Sequence, residues 1–100
     1  MKDYTTISRV YFIGIGGIGM SALAKYYLSR NAVVSGYDKT STTLTKEMES
    51  EGIAIHYEDS VELLDKQAQL VVYTPAVPKD HKEYNYYLDN NYEMVKRSKV

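Results

Sequence analysis

The chain has no cysteine, no tryptophan, two prolines and a single phenylalanine in 100 residues. Without cysteine there is no disulfide, no thiolate metal site and no thiol nucleophile, and the composition fits a reducing compartment. With so little proline there is no Pro/Gly linker, so residues 1–100 read as one domain with no interior boundary. No stretch approaches the roughly 20 apolar residues of a membrane span, and the opening MKDYTTISRV lacks the apolar core of a signal peptide. A cytoplasmic location is the expectation. Charge of one sign is lacking too: 12 Lys+Arg stand against 13 Asp+Glu, a net −1. No global field attracts nucleic acid or anionic lipid, so neither is an expected partner, and any bound anion must be held by local geometry. What is present is ordinary for a globular domain, 44% hydrophobic and 25% charged. The exception is eleven tyrosines, for which the sequence offers no functional account.

Short apolar runs alternate with helical patterns along the chain. Val10 to Ile15 is nearly continuous, as in a strand covered on both faces. Met20, Leu23, Ala24, Tyr27 and Leu28 then fall on one face of a helix, and Asn31 suits the left-handed position after it. Ala32–Tyr37, Ile53–Tyr57, Leu70–Thr74 and Tyr92–Arg97 read as further strands. Helices are expected through Leu44, Met48 and Glu51, over Asp59–Asp65 with Asp59 and Glu62 as a capping pair, and with Tyr84, Tyr87 and Leu88 on one face after Asp80 and Glu83 as another such pair. Alternation of this kind predicts an α/β fold: a Rossmann-like, doubly wound sheet of five parallel strands in the order 3-2-1-4-5, with helices on both faces. Its topological switch lies between strands 1 and 4, where open sheets bind ligands at the carboxyl ends. Residues 14–21, 38–43 and 74–79 would meet there.

The chemistry concentrates in Gly14-Ile15-Gly16-Gly17-Ile18-Gly19-Met20-Ser21, between the first strand and the first helix. In such a loop one glycine permits the turn, a second lets backbone approach a phosphate, and a third lets the helix pack closely. The helix then offers unpaired N–H groups and its positive end to an anion, and Ser21 would add a hydroxyl. Asp38 follows Gly16 by twenty-two residues, at the end of the second predicted strand. It would accept hydrogen bonds from a nucleoside, or else cap the polar loop after it. Nicotinamide dinucleotides and UDP-sugars suit this fingerprint equally.

Other groups carry less. His56 and His81 have no metal-ligand spacing, and His56 is expected to be half-buried and hydrogen bonded. Glu58-Asp59 reads as a turn and helix cap, and Lys96, Arg97 and Lys99 as a solvated basic end. Ser21 has no base at triad spacing and is no nucleophile. A G-x-x-x-x-G-K-[ST] loop is absent.

Four segments in order resemble the Mur ligase family, across about residues 9–100: Val10–Ser21 (VYFIGIGGIGMS), Val34–Asp38 (VSGYD), Val71–Pro78 (VVYTPAVP) and Met94–Ser98 (MVKRS). Tyr37 stands where the family has a small residue, Asn31 where it has glycine, and Glu58-Asp59 near a Gly-His pair. The resemblance implies the N-terminal, UDP-sugar-binding domain of a three-domain ligase, the other two domains being its partners. It implies UDP-N-acetylmuramate as ligand, for ATP-dependent ligation of L-alanine in peptidoglycan precursor synthesis. ATP and Mg²⁺ belong to the full-length ligase, and the fragment alone is expected to hold no cofactor or metal and to do no chemistry. Gly14, Gly16, Gly17, Ile18, Gly19, Met20 and Ser21 would line the diphosphate, Asp38 and Lys39 would face the uridine, and Thr74, Pro75 and Ala76 would form the opposite wall. Alternatives are the muropeptide-recycling ligase of the same family, a nicotinamide-binding regulatory domain, and an interaction domain with a vestigial site.

Overall fold

The computed structural model describes residues 6–17 and 19–97. Strand β1 (Arg9–Ile13) leads through the glycine loop into helix α1 (Met20–Ser29), then β2 (Val33–Tyr37), α2 (Thr43–Ser50) and β3 (Ala54–His56). A non-helical crossover returns the chain to β4 (Leu70–Tyr73), followed by α3 (Lys82–Asp89) and β5 (Met94–Lys96). Every pairing is parallel, and the order across the sheet is β3-β2-β1-β4-β5. This is the doubly wound order that the alternating pattern predicts, with the reversal between β1 and β4.

Both faces of the central strands are covered, which is why β1 and β4 read as apolar runs. On one face, Val10, Phe12, Leu70 and Val72 pack with Met20, Ala24 and Tyr27 of α1 and Met48 of α2. On the other, Tyr11, Ile13 and Val71 pack with Tyr87 of α3 and with Leu64 and Ala68 of the crossover. Helix α1 ends as its sequence predicts. Asn31 takes the left-handed conformation (φ 67°), and the N–H groups of Asn31 and Ala32 return to the carbonyls of Leu28 and Tyr27.

Two local expectations fail for one physical reason. Residues 59–65 form no helix; they make a turn, with the Leu63 N–H donating to the Ser60 carbonyl. The Asp59 carboxylate is committed elsewhere, accepting from the Lys82 N–H at 2.8 Å and the Glu83 N–H at 3.0 Å in the first turn of α3. A carboxylate spent on another helix cannot cap its own. In α3, correspondingly, the cap is His81 rather than Asp80. The His81 Nδ1 accepts from the Tyr84 N–H at 3.3 Å, and Glu83 turns into the core.

Three of the tyrosines, Tyr11, Tyr87 and Tyr92, have structural roles on the α3 face. A crossover without a helix leaves backbone carbonyls to satisfy. The Tyr87 hydroxyl donates to the Asp65 carbonyl at 2.8 Å, and the Tyr92 hydroxyl to the Lys66 carbonyl at 2.6 Å. Tyr11 donates to the fully buried Glu83 at 2.5 Å; His56 Nε2 and the Ser60 N–H complete that carboxylate's partners at 2.6 and 3.0 Å. His56 is thus hydrogen bonded, as its strand position predicts. Burial first, and then the charge of Glu83, raises the Tyr11 phenol above the ordinary tyrosine value; burial and then Asp65 do the same for Tyr87.

Candidate functional site

At the switch point the loop folds back onto β2. The Tyr37 carbonyl accepts from the N–H groups of Gly14 and Ile15 at 2.8 and 3.0 Å. Gly14 can do this because it sits at φ 89°, a conformation other residues rarely adopt. The Gly16 N–H donates to the Asp38 carboxylate at 2.7 Å, and the second Asp38 oxygen accepts from the Thr40 N–H at 3.0 Å. Asp38 therefore ties the loop to the segment after β2. A Cβ on Gly16 would stand 2.8 Å from Asp38 Oδ2 and 2.9 Å from the Thr45 methyl, so glycine here is required by protein packing. Further on, Gly17 donates to the Gly14 carbonyl, and the Gly17 carbonyl accepts from the N–H groups of Met20 and Ser21. Much of the expected backbone cradle is thus turned inward. The Met20 side chain is fully buried, Ser21 stands half-buried in the first turn, and Ile18 lies outside the described residues.

The positive end of α1 has no side-chain partner, its first two N–H groups being taken by the Gly17 carbonyl. Its cap residue is Gly19, with no side-chain cap and no acid in the first turn. Beside it stands a cation that the sequence reading assigns to a solvated basic end and not to the site. Arg97, just beyond β5, donates from Nε to the Gly19 carbonyl at 2.8 Å. The expectation of a solvated basic end fails for Arg97, because β5 lies next to β4 and ends at the same edge as the loop; Lys99 is outside the described residues. The signal available was topological: in a 3-2-1-4-5 sheet, the last strand delivers its final residue to the carboxyl edge, where the glycine loop lies.

A cavity of about 440 Å³ opens next to the loop. It brings together Gly14, Lys39, Thr74 and Ala76 of the expected site with Tyr37 and His81, which sequence reasoning left out. Pro75 faces a neighbouring cavity of about 490 Å³, lined by Tyr84, Leu88 and Lys96 among others. Gly16 and Asp38 are not among the residues lining either cavity. The cavity beside the loop is mixed in character, with Asp59, Asp80 and Lys82 at its polar side and Ile13, Val77 and Pro78 at its apolar side. Size and lining suit a small ligand with one flat apolar part and a few polar groups. Among the described residues, no three His, Asp or Glu side chains gather to hold a metal ion, and no helix is long and apolar enough to cross a membrane.

Comparison with known proteins decides the family. The family described as "Mur ligase family, catalytic domain" matches residues 9–100. The chain belongs to the Mur ligase family. Among its curated Mur ligase relatives, the UDP-N-acetylmuramate–L-alanine ligase of Phocaeicola vulgatus is 53% identical over 98% of this chain and 22% of its own length. The corresponding ligase of Flavobacterium psychrophilum is 54% identical over 94% of this chain, again 22% of its own length. A crystal structure of UDP-N-acetylmuramate-alanine ligase from Thermotoga maritima superposes with a TM-score of 0.85 at 32% identity, covering 91% of this chain and 21% of that one. The chain thus spans about a fifth of the length of the Mur ligases it matches.

Proposed function

We propose that this chain is the N-terminal, UDP-sugar-holding domain of a cytoplasmic three-domain ligase that joins L-alanine to UDP-N-acetylmuramate in peptidoglycan precursor synthesis. The diphosphate lies at the start of α1, between the Gly19 end of the loop, Ser21 and Arg97. The nucleoside occupies the cavity floored by Gly14 and walled by Lys39, Thr74 and Ala76. The observation that supports this reading is an N-terminus of α1 with no side-chain cap and no acid in its first turn, the Arg97 guanidinium beside it, at the end of a glycine loop whose Gly14 lines a cavity of nucleoside size. A helix end without a cap or an acid favours an anion, and two adjoining compartments suit a ligand with a charged part and a flat part.

The curated relatives are L-alanine ligases, which supports that acceptor over the muropeptide-recycling alternative. The sequence has no G-x-x-x-x-G-K-[ST] motif for ATP phosphates. We assign ATP and Mg²⁺ to the longer ligase, where ATP would activate the lactyl carboxylate for attack by the amino group. Mixed with ATP, UDP-N-acetylmuramate and L-alanine, this chain alone should release no phosphate; sustained turnover would overturn the domain assignment. The test of the ligand is calorimetric titration with UDP-N-acetylmuramate, UDP and NAD. Both uridine ligands should bind more tightly than NAD, and tighter binding of NAD would favour the regulatory-domain alternative.

A further inference from the structure

Tyr37 occupies a singular place at the switch point. Its carbonyl anchors the glycine loop through the N–H groups of Gly14 and Ile15, so its backbone is fixed relative to the phosphate end of the site. Its side chain lies on the opposite side of the sheet from the α1–α2 core, where it packs among the residues of the α3 face and lines the cavity beside Ile13, its register partner in β1. The ring packs against two imidazoles. It meets the His81 ring edge to face, with centroids 4.8 Å apart at 66°, and the His56 ring at 5.9 Å. His81 is itself immobilised: its Nδ1 caps α3, and the imidazole is nearly fully buried. A half-exposed phenol ring, braced by two imidazoles, therefore stands in a cavity that shares Gly14 with the anion-binding loop.

A planar ring fixed before binding loses little conformational freedom when a flat ligand covers it. Every nucleobase has a π face, and stacking on an aromatic side chain is a general way to hold one. We infer that Tyr37 is the stacking surface for the pyrimidine base of the nucleoside diphosphate, the side chain that makes the site prefer a base-bearing ligand to a bare diphosphate. This rests on the functional reading above and adds to it the residue that recognises the base. The phenol hydroxyl has no part in the argument, since stacking uses the ring face.

The test compares UDP with inorganic pyrophosphate, by calorimetry, on the wild-type chain and on Tyr37→Phe, Tyr37→Leu and Tyr37→Ala. Tyr37→Phe keeps the ring and should bind UDP within about threefold of wild type. Tyr37→Leu keeps apolar bulk against His81 but has no π face. Both it and Tyr37→Ala should weaken UDP roughly five- to a hundredfold, the range for loss of one base–aromatic stack. Pyrophosphate binding should stay within about twofold. Ligand-free thermal melts show which variants fold, and Tyr37→Leu carries the test if Tyr37→Ala does not. UDP binding unchanged in Tyr37→Leu, or equal loss of UDP and pyrophosphate, would overturn the stacking role while leaving the UDP-sugar reading intact. A wild-type chain that binds pyrophosphate but shows no preference for UDP would also overturn it. A wild-type chain that binds neither ligand would instead overturn the functional reading on which the stacking role rests.

Discussion

Three helices begin at the carboxyl edge of the sheet, and two of them, α1 and α3, begin in opposite ways. Helix α3 starts plugged: His81 caps it, both Asp59 oxygens accept its first N–H groups, and Glu83 sits in its first turn. Helix α1 starts open, on a glycine, with no side-chain cap, no acid in its first turn and an arginine alongside. The positive end of one helix is satisfied by the protein's own carboxylate. The other meets no side-chain cap and no acid in its first turn, only the Gly17 carbonyl. A helix terminus alone says little about function; under the proposed function, the contrast between α1 and α3 separates an end held by side chains from one available to a ligand.

Breaking the plugged end should cost the most. Glu83→Ala leaves the Tyr11 hydroxyl, His56 and the Ser60 N–H without their shared acceptor in the interior, and should destabilise the domain by about 3–5 kcal/mol in urea or guanidinium titrations. Asp59→Ala removes two bonds at the start of α3 and should cost about 2 kcal/mol by the same measurement. A loss below about 0.5 kcal/mol for either would mean that the α3 end is not held as described.

Alkali tests the same network from the tyrosine side. The unfolded chain releases the Tyr11 proton near pH 10, whereas the folded protein, with its phenol raised by burial and then by Glu83, keeps it. The folded state therefore binds more protons above that point. The stability contribution is complete below about pH 10 and is lost as pH rises from there toward the raised folded value. The slope is about 1.4 kcal/mol per pH unit for each such tyrosine. Tyr11→Phe should flatten the alkaline limb of a stability–pH curve by that amount, and Tyr87→Phe should do likewise. An unchanged slope in both variants would contradict the raised phenols.

The open end is sharpened by giving α1 the acid it lacks. Ala22 is exposed in the first turn, so Ala22→Glu should stabilise the helix by about 0.3–1 kcal/mol while weakening UDP, because the new carboxylate opposes the ligand's charge. Stabilisation without loss of UDP affinity would show that the anion does not use this terminus.

These contrasts also mark what the sequence could and could not reveal. The strand order was legible because both-face burial writes itself as apolar runs, and α1 because its apolar stripe follows a glycine loop. The role of Asp59 was not legible: its local spacing to Glu62 mimics a cap, while its partners at Lys82 and Glu83 are brought near only by tertiary packing. Arg97 was hidden for the same reason, since seventy-eight residues separate it from the Gly19 carbonyl it meets. For Asp38 the pattern gave the position, at the end of β2 beside the loop, but not its bond to the Gly16 N–H. Tyr87 and Tyr92 read as unexplained composition because their hydroxyls serve a crossover whose lack of a helix no short window predicts.

The most direct test of the UDP-sugar site is amide chemical-shift mapping of the isotopically labelled chain as UDP-N-acetylmuramate is added. The largest shifts should fall on residues 14–21, 37–39, 74–76 and Arg97, with α2 and the far end of α3 unmoved. Shifts concentrated instead around Tyr84, Leu88 and Lys96, which line the larger cavity, would place the ligand away from the glycine loop and contradict the account.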